Sequence, residues 1–150
     1  MIFGDDNVNI EFMRKEHTEE VVNMMRTFYT SPAVHTNGSE EIYRADVENC
    51  INDNPYIEGY VFVEGDEVAG YGMLAKSFST EFGKNCIWLE DIYLKPEHCN
   101  KGYGTEFLHF VEEKYPDAVL RLESEEENER AVHVYKKFGF EELPYIELKK

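Results

Sequence analysis

Two glycines in the segment Lys101-Gly102-Tyr103-Gly104 lie between a strand-like run that ends at Leu94 and a helix-like run that begins at Thr105. Glycine adopts backbone angles that other residues avoid, so successive N–H groups of such a turn can point into one hollow. The positive end of the following helix dipole strengthens that field. The segment therefore predicts a strand-to-helix turn suited to a phosphate group, although a plain helix start gives the same pattern.

The periodicity around this turn predicts an α/β fold. Apolar alternation predicts strands at 8–13, 60–63, 68–78, 85–95 and 118–123, with a last strand from Tyr145 to Leu148. Helical spacing predicts helices that begin at Thr18, Ser39 and Thr105, and a last one that ends at Gly139. A strand, helix, strand unit must be parallel and right-handed, whereas the preceding hairpins form an antiparallel meander. We expect a mixed, mostly antiparallel sheet of six or seven strands with about four helices.

Length and charge limit the class of protein. A chain of 150 residues has the size of one domain, which we assign to residues 1–150. Its formal net charge of −16 argues against a nucleic-acid partner. The same charge would attract cationic small molecules such as amines, although acidic surfaces also simply keep proteins soluble.

The N-terminal residues and the cysteines predict an ordinary cytoplasmic protein. The start of the chain lacks the basic and apolar regions of a secretory signal, and no apolar run approaches the ~20 residues of a membrane helix. We therefore expect no membrane association. Cys50, Cys86 and Cys99 form no CxxC pair, so neither a disulfide framework nor a zinc site is indicated. We expect reduced thiols and no metal.

Two carboxylates, Glu90 and Asp91, stand within an apolar strand. They should point to opposite faces unless a bulge intervenes, so one of them is directed to the interior or a cleft. A carboxylate there needs either a salt-bridge partner or a function such as general base. Tyr135 lies on the apolar face of the last helix, which suits a core aromatic equally well. Asn128 is either that helix's cap or follows a capping box at Ser124–Glu127.

Two segments together resemble the GNAT superfamily of acetyl-CoA-dependent N-acetyltransferases. The run from Trp88 to Gly104 is similar to the family's acetyl-CoA motif, a strand followed by Gln/Arg-x-x-Gly-x-Gly/Ala. The run from Asn128 to Phe140 is similar to a second motif through Asn128, Ala131, Tyr135, Gly139 and Phe140. Cys99 stands where the family usually has Gln or Arg, which should weaken cofactor binding unless Lys101 or Lys95 supplies the cation.

The resemblance implies a role for each site residue. Glu90 would act as the base, often through water, Tyr135 would protonate the leaving thiolate, and Asp91 would help to hold the amine. Tyr29, His35 and Tyr43 would contact the acceptor, with packing as their alternative role. Acetyl-CoA would be contacted by Ile92, Tyr93, Leu94, Cys99, Asn100, Lys101, Gly102, Tyr103, Gly104, Thr105 and Asn128.

The function implied by the resemblance is N-acetylation of the primary amine of a small molecule. The sequence around Glu90 is similar to the branch that acetylates polyamines and thialysine-like amines. Acetylation of a protein N-terminus or lysine is an alternative, and Cys99 makes a non-catalytic acyl-CoA-binding module another. Relatives are often dimers, so a homodimer is expected, with Tyr145–Leu148 as a segment that could pair across the interface.

Overall fold

The computed structural model of the chain describes residues 8–34 and 38–150. The strands within these ranges are β1 (Val8–Phe12), β2 (Ile57–Glu64), β3 (Glu67–Ser79), β4 (Lys84–Leu94) and β5 (Val119–Leu122). The α-helices are α1 (Thr18–Tyr29), α2 (Glu40–Ile51), α3 (Tyr103–Lys114) and α4 (Glu129–Phe138). Short 3₁₀ turns at Lys15–His17 and Pro96–His98 precede α1 and follow β4. The predicted α/β class and the expected number of helices are confirmed.

All five strands lie in one mixed sheet in the order β1-β2-β3-β4-β5. The first four pair antiparallel as a meander, and β5 lies parallel to β4. Helix α3 joins this parallel pair, as the predicted strand, helix, strand unit requires. The loop between β4 and α3 therefore lies at the carboxyl end of a parallel strand, where open α/β sheets bind ligands.

Helices cover both faces of the sheet. Val61 of β2 packs with α1 and α2 in one apolar cluster, whereas its neighbours Tyr60 and Phe62 pack with α3 in another. This alternation follows from the period of two along a strand. Phe107 of α3 is fully buried and lies with its ring centre 5.0 Å from that of Phe62. Burial of each such ring stabilises the fold by ~1.5–3 kcal/mol, so α3 is held firmly behind the site.

The structure corrects the number of strands. Six or seven were expected, but the described residues form five, and the predicted strand Tyr145–Leu148 is wrong. Tyr145, Ile146 and Leu148 are exposed, so the segment buries no apolar face against the sheet. A strand needs a partner, and neighbouring β5 offers only four residues. Pro144, which precedes the segment, also cannot donate a ladder hydrogen bond.

Two helix starts differ from those predicted. The capping residue of α1 is His17 rather than Thr18, whose hydroxyl instead donates to the carbonyl of Lys15 at 2.8 Å. Helix α3 begins two residues before the predicted Thr105, at Tyr103. Ser39 caps α2 as expected, because its hydroxyl accepts from the N–H of Ile42. Among the residues described, no helix has the length and apolarity needed to cross a membrane.

Candidate functional site

Strands β4 and β5 part where the site begins. The ladder between β4 and β5 joins Cys86–Leu89 to Val119–Leu122 and ends there. Strand β4 continues as Glu90–Leu94, paired on its other side with β3 alone. The β5 side of this stretch therefore carries backbone groups that no strand satisfies within the described residues. Such groups can bind an extended ligand laid along β4.

A β-bulge decides which way the two adjacent carboxylates point. Met73 of β3 pairs with Asp91, and the next residue, Leu74, pairs with Leu89, so Glu90 is the extra residue of the bulge. Asp91 is buried, at 3% exposure, whereas Glu90 is exposed. Partial desolvation and the negative charge of Asp91 raise the pKa of Glu90 above its ordinary value. A raised pKa makes a carboxylate a better proton acceptor.

Asp91 is held by two phenols on the α1 side of the sheet. The hydroxyl of Tyr29, on α1, donates to one of its carboxylate oxygens at 2.8 Å, and that of Tyr71, on β3, donates to the other at 2.7 Å. Burial raises the pKa of Asp91, and these two hydrogen bonds oppose the rise. Burial likewise raises the phenol pKa of Tyr29 and Tyr71, so both remain donors.

A third carboxylate, Asp46 of α2, faces the same region. It is half-buried, and burial together with the charge of Asp91 raises its pKa to about 6. The ring of Tyr43, one turn earlier on α2, lies 5.6 Å from that of Tyr29. Carboxylates and aromatic rings are the groups that bind an ammonium ion. The four side chains Asp46, Asp91, Tyr29 and Tyr43 are called the acidic cluster below.

The loop after β4 has the backbone of an anion site. Asn100 and Gly102 have positive φ angles of 68° and 81°, and Gly102 caps α3 without a side-chain hydrogen bond. The first N–H groups of a helix have no partner within the helix, and the helix dipole adds positive potential there. The thiol of Cys99 contacts the carbonyls of Leu94 and Lys95, at 3.9 and 3.6 Å. It thus contributes no charge to the loop.

Both lysines near this loop are engaged by carboxylates. Lys95 donates to Glu20 at 2.6 Å, and Lys101 donates to Glu64 at 3.1 Å. Neither ammonium group is therefore free to replace the missing Gln or Arg unless a ligand competes with its carboxylate. The anion site consists mainly of backbone N–H groups.

A groove of about 830 Å³ lies between β5, α4 and the C-terminal residues, and Tyr135 lines it. Burial raises the phenol pKa of Tyr135, and its hydroxyl has no hydrogen-bond partner among the residues that the structure describes. Glu147 also lines the groove, and its charge contributes to the raised pKa of Glu90. The groove and the bulge of β4 are therefore close, and Tyr135 lines the groove as a protonated phenol.

The sequence model of the Acetyltransferase (GNAT) family matches residues 18–140. The chain belongs to this family. The thialysine N-epsilon-acetyltransferase of Sus scrofa is 34% identical over 120 residues, which cover 73% of this chain and 68% of that protein. The protein of the same name from Bos taurus is 40% identical over 87 residues, which cover 56% of this chain and 51% of that protein. The chain spans about half to about two thirds of the length of these relatives.

Solved structures share the GNAT fold. "A possible acetyltransferase from Clostridium difficile 630" superposes with a TM-score of 0.81 at 17% identity, covering 97% of both chains. An aminoglycoside N-acetyltransferase in complex with CoA superposes with a TM-score of 0.78 at 14% identity, covering 100% of this chain and 98% of that one. At such identities the likeness concerns the fold alone.

The fold brings together many of the residues that the sequence singled out. Tyr29, Tyr43 and Asp91 meet in the acidic cluster, and Glu90 lies beside it. Asn128 is the cap residue of α4, though its side chain makes no capping bond. His35 lies outside the described residues.

Sequence reasoning missed two groups of the site. In the sequence, Asp46 is one of many charged residues in the predicted helices, and Tyr71 is one of several aromatic residues in the predicted strands. No signal in the sequence singles out Tyr71. Asp46 could have been found from its position three residues after Tyr43 on α2, because residues three apart lie on the same face of a helix.

Proposed function

We propose that this GNAT protein transfers the acetyl group of acetyl-CoA to the primary amine of a small cationic molecule. The observation that carries the proposal is the parting of β4 from β5 at Leu89, together with the positive φ angles at Asn100 and Gly102 in the loop that follows the end of β4. An acyl chain laid along the unpaired side of β4 and a pyrophosphate at the start of α3 would use both features. Binding of CoA by a solved relative of this fold supports the assignment.

Acetyl-CoA would be held mainly by backbone groups. The N–H groups of Asn100–Thr105 suit the pyrophosphate, and those of Ile92 and Leu94 suit the acyl chain and the thioester oxygen. Asn128, at the start of α4, would complete the cosubstrate side. Because Cys99 supplies no charge and Lys101 is paired with Glu64, we expect modest rather than tight affinity for CoA.

The chemistry requires one proton acceptor and one proton donor. An alkyl ammonium with a pKa of about 10.4 is almost fully protonated at pH 7, so it must lose a proton before its nitrogen attacks the thioester carbon. Glu90, with its raised pKa, is the base in this proposal, directly or through a water. As the new C–N bond forms, the C–S bond breaks, and the hydroxyl of Tyr135 gives its proton to the departing thiolate.

The charge of the acidic cluster favours a cationic acceptor. Asp46 and Asp91 are carboxylates without a lysine or arginine partner among the described residues, so a cationic ligand would relieve their mutual repulsion. Small amines that carry a second positive charge, such as diamines and amino-acid-like amines, fit this requirement. Thialysine N-epsilon-acetyltransferase, by its name, acts on an amine of this size, which supports the choice.

Turnover of purified protein tests the proposal. Acetyl-CoA is combined with a panel of diamines, matched monoamines and lysine-like amines, and release of free thiol is followed with a thiol-reactive dye. We expect turnover, with a KM at least tenfold lower for a diamine than for the monoamine of equal chain length. If no amine is acetylated while acetyl-CoA still binds, the chain is an acyl-CoA-binding module, as Cys99 alone would suggest.

A protein acceptor is the remaining alternative, and a peptide panel with free N-termini or lysines separates it from small amines. Cytoplasmic location, a single domain and a homodimer stay predictions. Light scattering on the purified protein measures the last of these.

A further inference from the structure

The turn between β2 and β3 holds a buried histidine beneath the anion loop. Glu64 ends β2, Glu67 begins β3, and His98 closes the 3₁₀ turn after β4. His98 is only 4% exposed. Its Nε2 atom lies 3.1 Å from a carboxylate oxygen of Glu67, and its Nδ1 atom lies 3.3 Å from Glu64. The imidazole is thus fixed between two carboxylates of one hairpin.

A third carboxylate completes a metal-ligand set. One ligand atom each from Glu67, Glu97 and His98 lie within 4.8 Å of one another. Zinc bonds of about 2.0–2.1 Å place the ligand atoms of a tetrahedron about 3.3 Å apart. The pair Glu67 and His98 already has this separation, so only Glu97 has to move. Its side chain is exposed and makes no ion pair among the described residues, so it can rotate inward.

The second nitrogen of His98 supplies an independent indication. A metal-binding histidine usually donates its other ring N–H to a carboxylate, which orients the ring and raises its basicity. Glu64 occupies that position, 3.3 Å from Nδ1, and Lys101 Nζ lies 3.4 Å from the same nitrogen. Glu64 is itself held by the hydroxyl of Tyr103 and by Lys101 Nζ at 3.1 Å. The carboxylate of Glu64, which orients the imidazole, is therefore held in place without a metal ion, and Nε2 faces Glu67.

The local charge also favours a cation. Glu64, Glu67 and Glu97 surround His98, and Lys101 is the one ammonium group that contacts this cluster among the described residues. With a neutral imidazole the cluster carries an excess of two negative charges. A divalent ion neutralises it, and an imidazole nitrogen with carboxylate oxygens suits zinc better than the all-oxygen sites of magnesium and calcium.

We propose that Glu67, Glu97 and His98 bind a Zn²⁺ ion, with water as the fourth ligand. The ion takes no part in acetyl transfer and does not depend on the proposed function. It ties the β2–β3 turn to the start of the loop that precedes α3, so it stabilises the folded protein by binding to that state alone.

Zinc titration of the apo protein tests this site. Protein without a histidine tag is stripped with a chelator and dialysed, and Zn²⁺ binding is measured by calorimetry and by the shift in melting temperature. We expect one Zn²⁺ per chain and a higher melting temperature, with no such shift from the same concentration of Mg²⁺. Absence of zinc binding, or an equal shift from Mg²⁺, overturns the proposal.

Three variants assign the ligands. We expect His98→Gln and Glu97→Gln each to weaken zinc affinity at least tenfold. Glu97 is exposed, so Glu97→Gln gives the answer even if the buried substitution prevents folding. His109→Gln is the matched control, because His109 also neighbours a glutamate, with Nδ1 4.0 Å from Glu112, but lies outside the cluster. Unchanged affinity in Glu97→Gln, or an equal loss in His109→Gln, contradicts the assignment.

Discussion

Glu90 is the residue whose ionisation should set the pH dependence of the reaction. Its raised pKa means that the base is lost as the pH falls through a value above that of an ordinary glutamate. We predict that Glu90→Gln lowers kcat/KM strongly at neutral pH and much less near pH 10, where part of the amine is already deprotonated. Glu48→Gln, an exposed change on α2, is the control. An equal loss at both pH values would make Glu90 a structural residue.

Tyr135 offers a test of the proton donor that does not disturb the fold. Its hydroxyl makes no hydrogen bond within the described structure, so Tyr135→Phe should leave the melting temperature unchanged. If the phenol protonates the thiolate, kcat should fall by about 10² or more, the usual range for general acid catalysis. Steady-state kinetics with saturating acetyl-CoA measure the effect, and Tyr56→Phe, at an exposed position, is the control. An unchanged kcat would show that Tyr135 serves packing rather than proton donation.

Asp46 links acceptor binding to stability. Its folded pKa of about 6 lies above the ordinary value of 3.8, so the folded state prefers the protonated form. Stability of the native chain therefore falls as the pH rises through this interval, and the penalty is complete by about pH 7. We predict that Asp46→Asn raises stability at about pH 7.5 by of the order of 1 kcal/mol, a figure that allows for solvent screening at this half-exposed group. Thermal melts across the pH range measure it.

The Asp46→Asn variant should also separate stability from function. Asp46→Asn is expected to raise KM for a diamine while it raises the melting temperature, and the difference in melting temperature should vanish near pH 3.5. Glu48→Gln, on the same helix, should change neither quantity. A variant that is stabilised but keeps its preference for diamines over monoamines would show that Asp46 does not contact the acceptor.

At the scale of elements, the anion loop depends on the backbone of Gly102. Its φ angle of 81° is costly for any residue with a Cβ atom, so Gly102→Ala should destabilise the protein by about 1 kcal/mol. Gly83, in the turn between β3 and β4, has a φ angle of 65° and open space around it. We predict that both alanine variants lose similar stability but that only Gly102→Ala raises KM for acetyl-CoA. Equal KM values in the two variants would contradict the anion loop.

The elements also show how far sequence could lead. The positive φ angle at Gly102 is a local property of the chain, and the presence of a glycine at this position indicates it. The bulge at Glu90 is different, because it arises only when β4 pairs with Met73 and Leu74 of another strand. No local pattern encodes that register. For this reason the sequence presented Glu90 and Asp91 as equal candidates, whereas the paired sheet buries one and exposes the other.

The acidic cluster and the unpaired C-terminal segment, like the bulge at Glu90, depend on contacts between elements that are distant in the sequence. Asp46 and Asp91 approach each other only because α2 packs on the face of the sheet that carries Asp91. The sequence identifies each as an acid but not their proximity. The prediction for Tyr145–Leu148 is wrong for the converse reason. Its residue types suit a strand, but the sheet formed by the described residues provides it with no pairing partner.

At the scale of the whole molecule, a net charge of −16 acts in opposite directions on the two proposed substrates. The field attracts a cationic amine and repels anionic acetyl-CoA, whose local binding groups are mostly neutral N–H dipoles. Both long-range effects weaken as the screening length falls from about 10 Å at 0.1 M salt to about 3 Å at 1 M. We predict that added salt lowers kcat/KM for a diamine and raises it for acetyl-CoA. Each value is measured with the other substrate saturating, at constant pH. A parallel decline for both substrates would indicate a general salt effect on the enzyme, and no change for either would show that the acidic surface serves solubility rather than substrate attraction.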